Sequence, residues 1–319
     1  METSSERYLR PGVYAATMTF FQPETHDLDL ETQKKHTVRL ADAGLSGIIA
    51  LGSNGEAPHL DRMERMHVVK SVVDALNDSG HSDLPVIVGA SAPSVRETVA
   101  LCREAKKAGG SHVLILPPSY FTAAMTPDTI YEFYMEVAAA SPLPVILYSF
   151  PAVTAGIEMS SDLLIRISKG HQNIVGTKFT CGDTGKLARV ARAMDAKTPS
   201  QPHKPYWAVA GLADFSLQAL VGGASGVVAG GANVLPKMIT RLYELYRHGR
   251  MEEAINVQSL LSESDWPHTA AGIAGTKAVL QQAFGYGGPP RSPLRQLSTQ
   301  AANSVANAMQ EVLKLEKRL

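Results

Sequence analysis

Short apolar runs rich in β-branched residues recur along the chain at intervals of about 20 to 40 residues, the scale of a βα unit. They are "GVYAATMTFF" (12–21), "GIIALGS" (47–53), "PVIVGAS" (85–91), "HVLILPP" (112–118), "PVILYSF" (144–150), "NIVGTKFT" (173–180), "YWAVAGL" (206–212) and "GASGVVAGG" (223–231). The stretches between them switch to helical spacing. Leu30 to Ala43 and Asp61 to Leu76 place apolar residues three and four apart. Ser94 and Glu97 fit a capping box, and Thr126-Pro127 fits a cap followed by proline at the first helical position.

Eight strands, each followed by a helix, are best satisfied by a closed parallel (β/α)8 barrel, the TIM-barrel architecture of the α/β class. An open doubly wound sheet would want a glycine-rich dinucleotide turn after its first strand, and "GVYAATMTFF" offers none. From about Met251 the strand signal stops, and helical patterns run through 251–264, 272–284 and 298–316 around the interruption "GYGGPPRSP" (285–293). This predicts a catalytic barrel over residues 1–250 and a C-terminal helical extension over 251–319 packed on it.

Composition changes little of this and excludes much else. The chain has 319 residues, 45% hydrophobic and 19% charged, which suits a globular protein with a sizeable core. Lys+Arg and Asp+Glu both number 30, so no bulk field attracts nucleic acid or anionic lipid. The apolar runs are shorter than the roughly 18 residues of a membrane span. Cys102 and Cys181 form no CxxC pair, which points to a reduced compartment. The start, "METSSERYLRPG", lacks a secretory pattern, and Glu2 and Glu6 argue against a mitochondrial transit peptide, so a cytoplasmic location is expected.

Barrel enzymes build their sites at the carboxyl ends of the strands. That rule selects "GSNGE" (52–56), "PPSYF" (117–121), "YSFPA" (148–152), Lys178 and "AGLAD" (210–214). Lys178 is the unusual member, because a lysine is costly to bury unless its charge is paired or lost. Strand alternation puts Ile174, Gly176 and Lys178 on one face; if that face is inward, Gly176 leaves room beneath the lysine stem. Poor solvation there should lower the amine's pKa, and a neutral amine attacks carbonyl carbon to form a Schiff base. The alternative is a lysine that reaches the rim or pairs with Asp214 or Glu56.

Tyr148 and Tyr120 supply phenols that can move protons when bonded to another hydroxyl, which Ser53 offers. Strand-end tyrosines also serve as ordinary caps with a wet tip. The glycines of "GSNGE" let backbone N–H groups approach a small anion such as a carboxylate. Thr180 lies two positions past the lysine and so shares its face, where it could contact distal substrate groups. No metal is expected: the ten histidines are scattered without ligand spacing, and His36, His59 and His67 read as surface or helix-packing residues. GxSxG elbows and P-loops are absent.

"GSNGE", "YSFPA" and "GTKFT", in this order and at these strand ends, resemble the dihydrodipicolinate synthase / N-acetylneuraminate lyase family of class I aldolases. The resemblance runs from about Gly12 into the C-terminal helices. It implies a (β/α)8 barrel that usually forms a homotetramer as a dimer of dimers. It implies that Lys178 forms the imine and that Tyr148 is the tyrosine of Y-x-x-P. Ser53 falls on the hydroxyl position of G-[ST]-x-G-E, with Asn54 beside it. Tyr120 matches a tyrosine that reaches across the dimer interface into the neighbouring site. Gly211 matches a glycine near the imine, and Val228 lies in the strand that lines the pyruvate pocket.

One position departs from dihydrodipicolinate synthases, where an arginine stands two residues after the Y-x-x-P proline; here it is Val153. With the tail "FGYGGPPRSPLRQLS" (284–298), the motifs are more similar to 4-hydroxy-2-oxoglutarate aldolases and to fungal 2-keto-3-deoxy-L-galactonate (L-threo-3-deoxy-hexulosonate) aldolases. The resemblance therefore implies a cofactor-free, pyruvate-releasing lyase acting on a small 2-oxo acid through a covalent lysine imine. Rival readings are dihydrodipicolinate synthesis proper, a 2-keto-3-deoxy acid dehydratase, a metal-dependent class II aldolase and a catalytically silent barrel.

Overall fold

A computed structural model describes residues 9–319. Eight parallel strands close on themselves in sequence order: β1 (Gly12–Ala16), β2 (Gly47–Ala50), β3 (Val86–Gly89), β4 (His112–Ile115), β5 (Val145–Ser149), β6 (Ile174–Phe179), β7 (Trp207–Ala210) and β8 (Gly226–Ala229), with β8 pairing back to β1. All eight lie within the apolar runs read from the sequence. A helix follows each strand: α1 (Leu30–Asp42), α2 (Arg62–Asp78), α3 (Val95–Lys107), α4 (Pro127–Ala140), α5 (Ser161–Gly170), α6 (Thr184–Ala193), α7 (Ser216–Val221) and α8 (Pro236–Arg247).

The helix starts follow from capping chemistry. Asp61 and Glu64 form the reciprocal capping box, Asp61 accepting from the Glu64 N–H and Glu64 from the Asp61 N–H. Ser94 makes only half of the box expected of it. Its hydroxyl accepts from Glu97 N, while the Glu97 carboxylate lies 3.5 Å from Arg62 instead. Thr126 caps α4 ahead of Pro127, as its sequence predicts.

Strand alternation divides the core into two layers. Outward residues pack under the helices, and inward ones, including Ile49, Ile87, Leu114, Ile146, Val209 and Val228, fill the cylinder. At the N-terminal end, Tyr14 and Trp207 meet edge to face with centroids 4.9 Å apart, and both donate to the Arg10 carbonyl. The cylinder is therefore plugged below and open above.

Strand β6 corrects the expected alternation. Its register against β5 slips between Val145 and Ile146, pairing Val145 with Ile174 but Ile146 with Gly176. The extra residue, Val175, turns Ile174 to the outer layer, so Ile174 does not share the face of Lys178. Nor does Gly176 leave a void under the lysine. A Cβ there would stand 2.5 Å from the Trp207 carbonyl oxygen, so the absent side chain is what admits Trp207.

Past the barrel, α9 (Met251–Ala270), α10 (Gly272–Phe284), α11 (Thr299–Ala308) and α12 (Gln310–Arg318) pack on its upper side and flank. The last predicted helix is thus two, broken at Met309. Gln258 of α9 accepts from Leu217 N and donates to Ala213 O, binding the extension to the turn after β7. The buried Glu316 carboxylate accepts from the N–H groups of Lys237 and Met238 at the start of α8. No helix among the described residues is long and apolar enough to cross a membrane.

Candidate active site

Lys178 and Tyr148 are direct neighbours across the β5–β6 pair, both inward. The Lys178 side chain is buried, at 3% exposure, and its Nζ donates to the Tyr148 hydroxyl at 3.2 Å. Nζ also lies 4.3 Å from the Tyr148 ring centroid. Ser53 Oγ stands 3.5 Å from the same phenol oxygen, at the long limit of a hydrogen bond. Three elements that are distant in the sequence thus converge on one oxygen. Neither pairing considered as an alternative forms: among the described residues, no ion pair joins Lys178 to Glu56 or Asp214.

Ser53 and Tyr148 line a cavity of about 640 Å³, a size suited to a metabolite. Leu116, Val153 and Thr154 form part of its wall, and the C-terminal extension adds Ile273 and Leu294. Two arginines reach this lining, and both are engaged. Arg62 bonds the Glu104 carboxylate, while Arg65 donates to the carbonyls of Ala57 and Gly89.

Thr180 continues β6 upward and is buried, with its hydroxyl lacking any hydrogen-bond partner. Gly211 makes the room: a Cβ there would lie 2.0 Å from Thr180 Oγ1. Asn54 packs against Gly230, where a Cβ would lie 2.4 Å from its amide nitrogen. The N–H groups of Ser53 and Asn54 take no backbone acceptor among the described residues, whereas Gly55 and Glu56 N–H groups close the turn onto Gly52 and Ser53. Val228 lies within the inner layer. Tyr120 stands apart from the other candidates. It is 81% exposed, meets the exposed Phe121 edge to face, and joins no part of its own chain's constellation among the described residues.

The sequence reading missed the residues that hold the "GSNGE" turn. Glu56 sits in the left-handed region, at φ 51°, and is fully buried. Its carboxylate accepts from Lys277 Nζ at 2.7 Å, from Arg291 N at 2.8 Å and contacts His59 Nδ1 at 3.1 Å. Burial lowers the Lys277 ammonium, and Glu56 opposes that fall. Arg291 clamps Glu64 and donates to the carbonyls of His59 and His26. His59 is thus no surface residue but a wall of the cavity. His36 does pack inside, bonded to Asn233 and Tyr286, and burial pulls it down to about 3. His67 is exposed. The only sequence signal for this anchor is the charge of Glu56 itself, read as a potential partner for the wrong lysine.

No group of three His, Cys, Asp or Glu side chains is arranged to hold a metal among the described residues. Comparison with known proteins places these features. The Dihydrodipicolinate synthetase family model matches residues 10–312. The chain belongs to this family. It is 51% identical to an L-threo-3-deoxy-hexylosonate aldolase of Aspergillus niger, across 98% of this chain and 97% of that one. It is 43% identical to a probable mitochondrial 4-hydroxy-2-oxoglutarate aldolase of Emericella nidulans, across 99% of each. The crystal structure of a putative dihydrodipicolinate synthase family protein from Coccidioides immitis superposes with a TM-score of 0.87 at 34% identity, covering 97% of this chain and 98% of that one. The chain is an enzyme of the carbon–carbon lyase class, in a family of class I aldolases that work in general without a metal. The aldolase reading fits these relatives better than dihydrodipicolinate synthesis does.

Proposed function

We propose that the chain cleaves a 4-hydroxy-2-oxo acid to pyruvate and an aldehyde, with 2-keto-3-deoxy-L-galactonate, which yields L-glyceraldehyde, as the preferred substrate. The observation that carries this reading is the buried Lys178 amine bonded to a phenol, not to a carboxylate. In unprotonated form Nζ adds to C2 of the substrate; the Tyr148 hydroxyl gives its proton to the departing C2 oxygen, so that water leaves, a protonated imine forms and Tyr148 is left as a phenolate. The substrate carboxylate rests on the N–H groups of Ser53 and Asn54. Tyr148 takes the proton of the C4 hydroxyl, the C3–C4 bond breaks, and its electron pair passes to the protonated imine. The aldehyde departs, the enamine takes a proton at C3, and water releases pyruvate from Lys178. Ser53 orients the Tyr148 hydroxyl, and the Thr180 hydroxyl meets the distal hydroxyls of the substrate.

Gly211 and Val228 bound the imine pocket, and Tyr120 completes the proton relay in the site of a second copy. Its exposed position beside Phe121 suits that role. We read the assembly as a dimer of dimers acting in the cytoplasm on a small molecule. The second substrate in contention is 4-hydroxy-2-oxoglutarate, giving glyoxylate, as in the name of the Emericella relative. Its distal carboxylate would want a free cation, and both arginines of the cavity are already engaged. Val153 at the position of the synthase arginine supports neither dihydrodipicolinate synthesis nor a second carboxylate.

Coupled detection of pyruvate over a panel of 4-hydroxy-2-oxo acids tests the proposal. The highest kcat/KM should fall on the deoxy-sugar acid. Turnover without pyruvate would indicate a dehydratase and reject it, and a preference for 4-hydroxy-2-oxoglutarate would reverse the order of substrates.

A further inference from the structure

A second large cavity, of about 720 Å³, lies at the opposite end of the barrel from Lys178. Its walls come from the N-terminal sides of the strands, including Leu9 and Arg10 before β1, Ser46 before β2 and Lys197 on the way to β7. One face of α8 closes it, with Thr240, Tyr243, Glu244 and Arg247 at helical spacing. The lining holds four cations, Arg10, Lys197, Lys204 and Arg247, against one carboxylate, Glu244.

Three of these cations are already engaged. Arg10 pairs with Asp83, Lys204 with Asp195 and Arg247 with Glu244. Lys197 has no carboxylate. It is half-buried, donates one bond to the Leu9 carbonyl at 3.0 Å, and so keeps two donors unspent. Its titratable neighbour from the strand layer is His112, which burial and the Lys197 charge push down to about 4 and so keep neutral. Burial likewise lowers the Lys197 ammonium, and an adjacent oxyanion would restore its charged form. Independently, the Thr240 hydroxyl is buried in the same wall with no hydrogen-bond partner. The Thr240 hydroxyl thus has no partner, and the Lys197 ammonium keeps donors free for a ligand in this metabolite-sized cavity.

We propose that this cavity binds a small oxyanion, a carboxylate or phosphate group carried on a metabolite-sized molecule, with Lys197 supplying the charge and Thr240 a second donor. The site is separate from the catalytic mouth, with which it shares no lining residue.

Isothermal titration of the full chain with inorganic phosphate, and separately with succinate, tests this at constant ionic strength against chloride. Saturable binding of either probe at one site per chain is the expected result; the tighter probe shows whether the natural ligand is a phosphate or a carboxylate. Lys197→Met should weaken that binding at least about tenfold, as loss of a charged hydrogen bond implies. Thr240→Val should weaken it less and serves as the test if Lys197→Met does not fold. Lys178→Ala should leave it unchanged. No saturable binding of either probe, binding unaltered in both cavity variants, or binding lost only in Lys178→Ala would each overturn the proposal.

Discussion

Lys178 in the barrel interior and Lys277 at the junction with the C-terminal helices are both buried, at 3% and 0% exposure, yet their surroundings differ in kind. Lys277 faces the Glu56 carboxylate and the Pro289 carbonyl and lies over the Phe21 ring, so its charge is answered on every side. The one hydrogen bond of Lys178 runs to a phenol hydroxyl, with a serine behind it. A third buried lysine, Lys186, also has a carboxylate, that of Glu158. Among the buried lysines described, Lys178 alone has no acidic partner. Burial of an amine is thus not the mark of chemistry in this fold. On the proposed mechanism that mark is burial without a counter-charge, next to a hydroxyl and an open cavity.

The largest expected effect separates the two lysines directly. Lys178→Met should abolish turnover while leaving thermal stability unchanged or raised, since no charge loses its partner. Lys277→Met should strand the Glu56 carboxylate in the interior and cost about 3–5 kcal/mol of stability. Chemical denaturation of both variants, with the double Glu56→Gln/Lys277→Met as a control that relieves the stranded charge, would break the comparison if Lys178→Met proved the more destabilised.

Tyr148→Phe comes next. The fold should persist, and kcat should fall about 10²–10⁴-fold, the scale of general acid–base catalysis. Activity within twofold of the parent would remove Tyr148 from its role and leave the amine without a proton carrier.

A smaller effect concerns pH. Burial holds His36 neutral down to about 3, whereas an unfolded histidine protonates near 6.5. Between those values the unfolded state binds the extra proton, so this contribution to stability is present above about pH 6.5 and drains away as pH falls toward 3. The slope is up to roughly 1.4 kcal/mol per pH unit. Unfolding midpoints measured from pH 7.5 down to 4.5 should show this loss, and His36→Gln should flatten it; an identical slope in the variant would contradict the assignment. The smallest effect is at Thr180. Thr180→Val should raise KM for the deoxy-sugar acid about tenfold, the worth of one hydrogen bond, and leave imine formation with pyruvate intact. An unchanged KM would detach its orphan hydroxyl from the substrate.

The eight strands were legible because buried parallel strands read as short apolar runs and each is punctuated by turn residues. The convergence of Lys178, Tyr148 and Ser53 was legible because strand ends fix where side chains meet, and "GTKFT" and "YSFPA" mark theirs with polar groups. What escaped was non-local. The slip at Val175 leaves no trace in "NIVGTKFT", since its cause lies in the pairing with β5. The Glu56–Lys277 pair joins residues 221 positions apart, a separation at which periodicity says nothing. Tyr120 was legible as a motif residue but not as an exposed one, because its proposed neighbours belong to another copy.

The most direct measurement is reductive trapping. Incubation with pyruvate and borohydride, followed by peptide mapping, should yield one stable adduct on the peptide containing Lys178, with Lys186 and Lys277 unmodified. An adduct on either of those lysines, or none at all, would contradict the claim that the buried amine without a counter-charge is the one that condenses with the substrate.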